Sequence, residues 1–185
     1  MSCQTSSWTT FATEPPGLTT GNWRGVGPTH NIFVVESFID ELAAAAKKDP
    51  VEYRRGLLGK SPRVLGVLNL AAEKAGWGQP LAPPASVAAS RCNLPWAAIC
   101  PKSPRSRCPK DGEVSVRRVV CAVDCGQVVN PDTIAAQIEG GIIFGISAAL
   151  WGEITLKNGR VEQSNFNDYR VLRINETPLH RGASG

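Results

Sequence analysis

Glu113-Val114-Ser115-Val116-Arg117-Arg118-Val119-Val120-Cys121-Ala122-Val123-Asp124-Cys125-Gly126 is a run in which alternation and β-branched residues give way to a polar, glycine-containing break. β-Branched side chains fit a pleated, half-buried surface, so the run predicts a strand over residues 113–123 that ends in a turn. Downstream, Pro131 opens an apolar helix to about Leu150. Gly140, Gly141 and Gly145 lower its helix propensity, which marks either close packing or a ligand. Ile154-Thr155-Leu156 and Arg160-Val161-Glu162 then flank Lys157-Asn158-Gly159. Asn-Gly favours the left-handed pair of a type I′ turn, so this segment reads as a hairpin. A polar strand or loop over residues 164–173 follows.

Upstream of the strand the spacing is helical. Ile32, Val35, Phe38, Ile39 and Leu42 form a stripe that ends in alanines and Lys47-Lys48, predicting an amphipathic helix. Asp49-Pro50 supplies an acceptor for an orphan helix amide and a residue that lacks the donor, so a short helix through Leu58 begins there. Ser61-Pro62 repeats the signal, Val64, Leu65, Leu68 and Ala72 form the next stripe, and Gly76 offers a left-handed cap.

The chain has 185 residues, enough to bury a core, with 42% hydrophobic and 19% charged residues. No uninterrupted apolar run approaches the roughly 20 residues that span a bilayer, so no membrane span is expected. The start, Met1-Ser2-Cys3-Gln4-Thr5, has neither an apolar signal region nor an arginine pair, and the cytoplasm is the default expectation, although an intact parent could be periplasmic. Six cysteines without an export signal are expected to be reduced thiols. Cys92, Cys100 and Cys108 recur at intervals too wide for the close pairs of metal sites, and His30 and His180 are isolated. No metal ligand is assigned.

Residues 79–110 differ from the rest. They hold Arg91, Lys102, Arg105, Arg107 and Lys110 and no acid, against a net charge of +4 for the chain, so the remainder is nearly neutral. Nucleic-acid binding would therefore rest on this tract alone. Residues 79–109 carry seven of the 14 prolines and three of the six cysteines, with no glycine, a composition expected not to support a packed element. Read from the third base of each codon, the tract permits Val-Gln-Ser-Ala-Leu-Gly-Ser-Tyr-Leu. Trp96, with its single codon, forces the glycine of that reading, and Trp8 likewise forces an aspartate near the start. Residues 1–20 and 179–185 are accordingly expected to be out of frame or irregular.

Gly21-Asn22-Trp23-Arg24-Gly25-Val26-Gly27, then residues 36–43, then Asp49-Pro50-Val51-Glu52-Tyr53-Arg54, resemble in order one region of the molybdenum hydroxylase (xanthine dehydrogenase and aldehyde oxidase) family. Asp124-Cys125-Gly126, Asn130-Pro131, Gln137-Ile138-Glu139-Gly140-Gly141, Phe144-Gly145 and Asn165-Phe166-Asn167-Asp168-Tyr169-Arg170 resemble a second. Within the family the pattern is most like the isoquinoline 1-oxidoreductase beta subunits. The resemblance implies an α+β fold, part of a molybdopterin-binding large subunit. It divides the chain into a cofactor-proximal block at 21–78, the aberrant tract at 79–110 and a second molybdopterin-binding region at 111–178.

The resemblance further implies that Trp23, Arg24, Gly25, Gly126 and Gln137 lie at a molybdopterin-type molybdenum cofactor. Glycine lets backbone approach a ligand, and peptide amides bind anionic groups. A glycine turn before a helix, an exposed turn arginine and a helix-surface glutamine are the structural alternatives. An intact parent would hydroxylate N-heteroaromatic compounds or oxidise aldehydes with water as oxygen source, passing electrons to a small iron–sulfur subunit. The family's catalytic glutamate lies in a Gly-Val-Gly-Glu segment that this sequence lacks, so no catalytic residue is assigned, and neither Glu139 nor Glu153 is its substitute. The chain is expected to be a fragment, inactive and without retained cofactor on its own. The competing reading is a non-catalytic binding module that uses the basic, proline-rich tract.

Overall fold

In the computed structural model, residues 16, 17, 19, 21–79, 88–90, 96–100, 116 and 118–183 are described. Three helices come first: α1 (Val26–Ala45), α2 (Pro50–Leu57) and α3 (Pro62–Ala75). Strands β1 (Ala88–Ser90), β2 (Trp96–Cys100) and β3 (Arg118–Val123) follow, then α4 (Pro131–Trp151), a hairpin of β4 (Leu156–Lys157) and β5 (Arg160–Val161), a 3₁₀ turn at Ile174–Glu176, and β6 (Leu179–Ala183). The result is a mixed α+β fold, as the sequence predicts.

The chain stops its own helices. Asp49 caps α2 by accepting from the amides of Val51 (2.9 Å) and Glu52 (3.0 Å), and its other oxygen accepts from the Trp77 indole at 2.9 Å. One carboxylate thus starts α2 and ties it to the end of α3. At that end Gly76 takes φ 73°, and the amide of Trp77 closes onto the carbonyl of Ala72 (2.9 Å), a left-handed cap that glycine forms without steric cost. α1 ends on the same geometry with Lys47 at φ 53°, the amides of Lys47 and Lys48 reaching the carbonyls of Ala44 and Ala43.

The larger sheet has the order β1-β2-β3-β6; β3 is antiparallel to β2 and parallel to β6. With both edges paired, β3 buries Val119, Val120, Cys121 and Ala122 in succession, the continuous pattern of a strand covered on both faces. Val120 and Ala122 face Val67, Leu68, Ala71, Ala72 and Ala75 of α3 and Val51 of α2. This is the core.

Two expectations meet differences. β1 and β2 lie inside the tract whose composition argued against any packed element, and β6 lies in the tail expected to be irregular. The reason is that residues 87–90 and 96–100 contain no proline, and the edges of β3 offer backbone partners to β2 and β6, as the outer edge of β2 does to β1, that unpaired strands would lack. The out-of-frame reading of this tract then rests on codon arithmetic alone. Residues 1–15, and 113–115 of the predicted strand, lie outside the described residues. The hairpin matches its prediction, with Asn158 and Gly159 both left-handed at φ 51° and 75°.

Candidate functional site

Trp23-Arg24-Gly25-Val26 is a tight turn. The Val26 amide donates to the Trp23 carbonyl at 2.9 Å, and Gly25, at the third position, has φ 87° and ψ −6°, the values that position takes in a type II turn. A Cβ on Gly25 would fall on the Thr29 hydroxyl, so glycine is required by both torsion and space. That hydroxyl donates to the Arg24 carbonyl at 2.6 Å, holding the turn against the first turn of α1. Val26 itself sits at φ 46°, a costly conformation for a β-branched residue and of the kind that concentrates at functional sites.

The turn is seated on α4. The Trp23 ring centroid lies 5.5 Å from that of Phe144, and the Arg24 guanidinium carbon lies 4.6 Å from the Phe144 centroid. Each contact is worth about 0.5–1.5 kcal/mol at such sites. Gln137 stands two helical turns before Phe144, on nearly the same face and about 10 Å away along the axis at 1.5 Å per residue. Between them lie Gly140 and Gly141. A Cβ at either, or at Gly145, would meet nothing within 4 Å. A bare backbone trough therefore separates an exposed amide side chain from a ring clasped by an arginine.

Gly126 is elsewhere. It takes φ 78° in the turn after β3, where its amide donates to Asp124 at 3.0 Å and its nearest neighbour beyond the turn is the Arg63 guanidinium. Arg63 grips Asp124 with two bonds, 2.7 and 2.5 Å. The hydrogen bond from Arg63, helped by the Gly126 amide, lowers the Asp124 pKa to about 2. Cys125 is exposed, whereas Cys121 is buried, and burial raises its thiol to about 11. A protonated buried thiol is a packing group rather than a nucleophile.

Of the five residues singled out in the sequence, Trp23, Arg24 and Gly25 share the turn on α4, Gln137 lies along the same helix, and Gly126 faces Arg63. Thr29 was not singled out, and Phe144, part of the second region's motif, was not assigned to the site. Phe144 has a sequence signal, seven residues after Gln137 on a helix, and Thr29 follows Gly25 by four. Arg63 had none, because 61 residues separate it from Asp124.

Among the described residues Arg24 forms no ion pair, and no group of three His, Cys, Asp or Glu side chains is placed to hold a metal ion. Arg24, without an ion pair among the described residues, and the exposed Gln137 amide can donate hydrogen bonds to a polar anion from one side, while the glycines between them, their own amides committed to the helix, give it room to approach. α4 contains no fully buried residue, and it is a described helix long and apolar enough to cross a bilayer. The expectation of no membrane span therefore finds no support in its length or composition. Gln137 and Glu139, both exposed on its surface, are the features that a lipid-facing helix would not favour.

Residues 108–178 match the molybdopterin cofactor-binding domain family. The chain is 36% identical over 160 residues to the beta chain of isoquinoline 1-oxidoreductase from Brevundimonas diminuta, covering 84% of this chain and 20% of that protein. It is 34% identical to a nicotinate dehydrogenase subunit of Pseudomonas putida, over 87% of this chain and 15% of the relative. It is also 34% identical to the membrane-bound aldehyde dehydrogenase (pyrroloquinoline-quinone) of Gluconacetobacter polyoxogenes, over 84% and 22%. The chain thus spans about a fifth of the length of these relatives. The two sequence blocks meet at the Trp23–Phe144 contact, the second of them within the family match at residues 108–178, and the chain belongs to the molybdopterin-binding xanthine dehydrogenase family.

Proposed function

We propose that this chain is a cofactor-facing segment of an oxidoreductase subunit whose intact form hydroxylates N-heteroaromatic compounds or oxidises aldehydes with water as oxygen source, working with a small iron–sulfur subunit. The observation that carries the reading is the seating of Trp23 and Arg24 on Phe144, beside the glycine trough that leads to Gln137. In this reading Arg24 offers its charge to the anionic phosphate of the pterin, and Gln137 donates an amide hydrogen bond. Gly126 leaves room for backbone amides to approach, while Gly25, whose side-chain space is filled by the Thr29 hydroxyl, serves by shaping the turn that presents Arg24. When bound, the molybdenum centre supplies two-electron redox chemistry and a template for the substrate. The residues here bind and orient. None is assigned as the base, and proton transfer belongs to a glutamate supplied from outside them.

Support for the substrate class comes from the names of the relatives, an isoquinoline oxidoreductase, a nicotinate dehydrogenase and an aldehyde dehydrogenase. The chain alone is expected to retain no cofactor and to turn over no substrate, because it offers contacts from one side only. Placed in the Brevundimonas beta chain in exchange for the matching segment, it is expected to restore molybdenum by elemental analysis. Arg24→Ala in that hybrid should lower molybdenum affinity about tenfold or more, since a charge-assisted hydrogen bond contributes roughly 1.5–3 kcal/mol. Stoichiometric molybdenum in the isolated chain, with dye reduction that depends on an N-heteroaromatic, would overturn the reading of a one-sided segment. An Arg24→Ala hybrid with unchanged molybdenum would overturn the role of Arg24.

A further inference from the structure

We infer that Arg54 is a positioning residue for the Trp23-Arg24 turn, an inference that rests on the reading of that turn as cofactor-facing. Arg54 is 3% exposed and every N–H of its guanidinium is occupied. Nε and Nη2 donate to Glu36 Oε2 at 3.2 and 2.9 Å. Nη2 also donates to the Glu36 carbonyl (3.2 Å), and Nη1 to Asp40 (2.6 Å) and to the Pro50 carbonyl (3.2 Å). Burial by itself would disfavour the charge, but the two carboxylates more than offset it and the guanidinium is held more firmly protonated than usual.

The clamp matters because of what else holds α1. Among its described side chains Glu36 and Ala43 are buried, while Phe33, Val34, Val35 and Phe38 are exposed. Apolar packing therefore does little to fasten the half of α1 that carries the turn. The line of support runs from the core through Val51, which is fully buried in α2, to Arg54 one turn later, to Glu36 and Asp40, and along α1 to Val26. The ten residues from Glu36 to Val26 make a lever of about 15 Å. A pivot of about 10° at Glu36 moves the far end of such a lever by about 2–3 Å, enough to break ring contacts and to spoil geometry at a reacting centre. A planar fork fixes direction in a way that a lysine point charge does not.

The test uses the 185-residue chain with ¹⁵N-labelled tryptophan, the Trp23 indole signal being assigned by Trp23→Phe. The paired substitution Arg54→Met with Glu36→Met removes the clamp without stranding a buried charge. We expect the Trp23 signal to move to the position it takes in Phe144→Ala, while the Trp77 signal, anchored on Asp49, stays in place. Arg54→Lys should recover only part of the shift. Asp40→Ala deletes one arm at a partly exposed carboxylate and should move Trp23 in the same direction by less, so it serves if the paired variant loses the Trp77 signal. An unmoved Trp23 signal beside an intact Trp77 signal, in either variant, would overturn the inference. A Trp23 that responds here, with molybdenum unchanged by Arg24→Ala in the hybrid, would overturn the cofactor reading and leave the mechanical link standing.

Discussion

α3 and α4 are both rich in alanine and branched aliphatic residues, yet they are treated in opposite ways. α3, with 14 residues, buries Val67, Leu68, Ala71, Ala72 and Ala75, whereas α4, with 21 residues and fewer charges, buries none completely. α3 has an apolar stripe and a partner, the face of β3 that carries Val120 and Ala122. α4 is apolar around most of its circumference, the composition of a helix surrounded by protein or lipid. Apolarity in a sequence thus records that a face is to be covered, and leaves the identity of the cover to the rest of the fold. In this chain one block carries its own cover and the other presents a surface touched by Trp23 and Arg24 at Phe144, by Arg170 at Trp151 and by the Leu172 amide at Ser147.

Equal truncations on the two helices should therefore have unequal effects. Leu68→Ala, at a side chain 2% exposed, should cost about 2–5 kcal/mol in a urea titration, from lost burial and the cavity left behind. Ile142→Ala on α4, at a half-buried position, should cost no more than about 1 kcal/mol, because only part of its transfer free energy is recovered in the fold. Comparable losses at the two sites would mean that α4 is packed in solution, and the contrast would fail.

That contrast also explains what was readable in advance. The starts of α2, α3 and α4 at Pro50, Pro62 and Pro131, the Asp49 cap, the Gly76 stop and the Asn158-Gly159 turn were legible because each depends on residues within four positions, whereas Ser61, read as a second cap, makes no side-chain hydrogen bond to the amides of α3. The sheet was legible only at β3. β2 and β6 owe their state to the edges of β3, and β1 to the outer edge of β2, and pairing across the chain leaves no periodic mark in segments of three to five residues. At the candidate site, motif order brought out Trp23, Arg24 and Gln137. It could not place Gly126 against Arg63, because the Arg63–Asp124 pair that brings them together crosses 61 residues, nor reveal Arg54 as the fastening of α1, whose carboxylate partners lie 14 and 18 residues away. Nothing local distinguishes those acids from other helix-surface acids.

Caps sharpen the same comparison with a smaller effect. Asp49 and Asn130 do the same chemistry, accepting from amides in the first turn of α2 and of α4. Asp49→Ala should cost about 1–2 kcal/mol of global stability, at the upper end for a cap because the Trp77 indole loses its partner too. Asn130→Ala removes a cap of similar intrinsic worth from a helix with little buried surface. It should cost at most about 0.5 kcal/mol globally and appear instead as faster amide exchange in the first turn of α4. Equal global costs would show that α4 unfolds together with the core.

The last expected effect is on pH, at the joint between the two regions. Arg63 of α3 holds Asp124, and Asp124 holds the Gly126 amide at the start of the loop that leads to α4. The folded-state pKa of Asp124 is lowered to about 2 from an ordinary 3.8, so the folded state keeps the carboxylate ionised where the unfolded chain has begun to protonate it. The stabilisation is then fully present above the unfolded value and is lost as pH falls through about 4 toward 2. Both partners are open to solvent, which makes the contribution small and sensitive to salt. Asp168 and Glu176 are also lowered, by backbone amides and neighbouring side chains, so the acid response of the wild-type chain alone does not isolate this joint. Comparison with Asp124→Asn does. The difference in urea midpoint between the two proteins should be constant near neutral pH, shrink below about pH 4 and vanish near pH 2, with the Gly126 amide exchanging as fast in the wild type at low pH as in the variant. A difference that persists undiminished to about pH 2 would show that Asp124 acts through its shape and hydrogen bonds rather than its charge, and the joint between α3 and the α4 loop would not be an ion pair in solution.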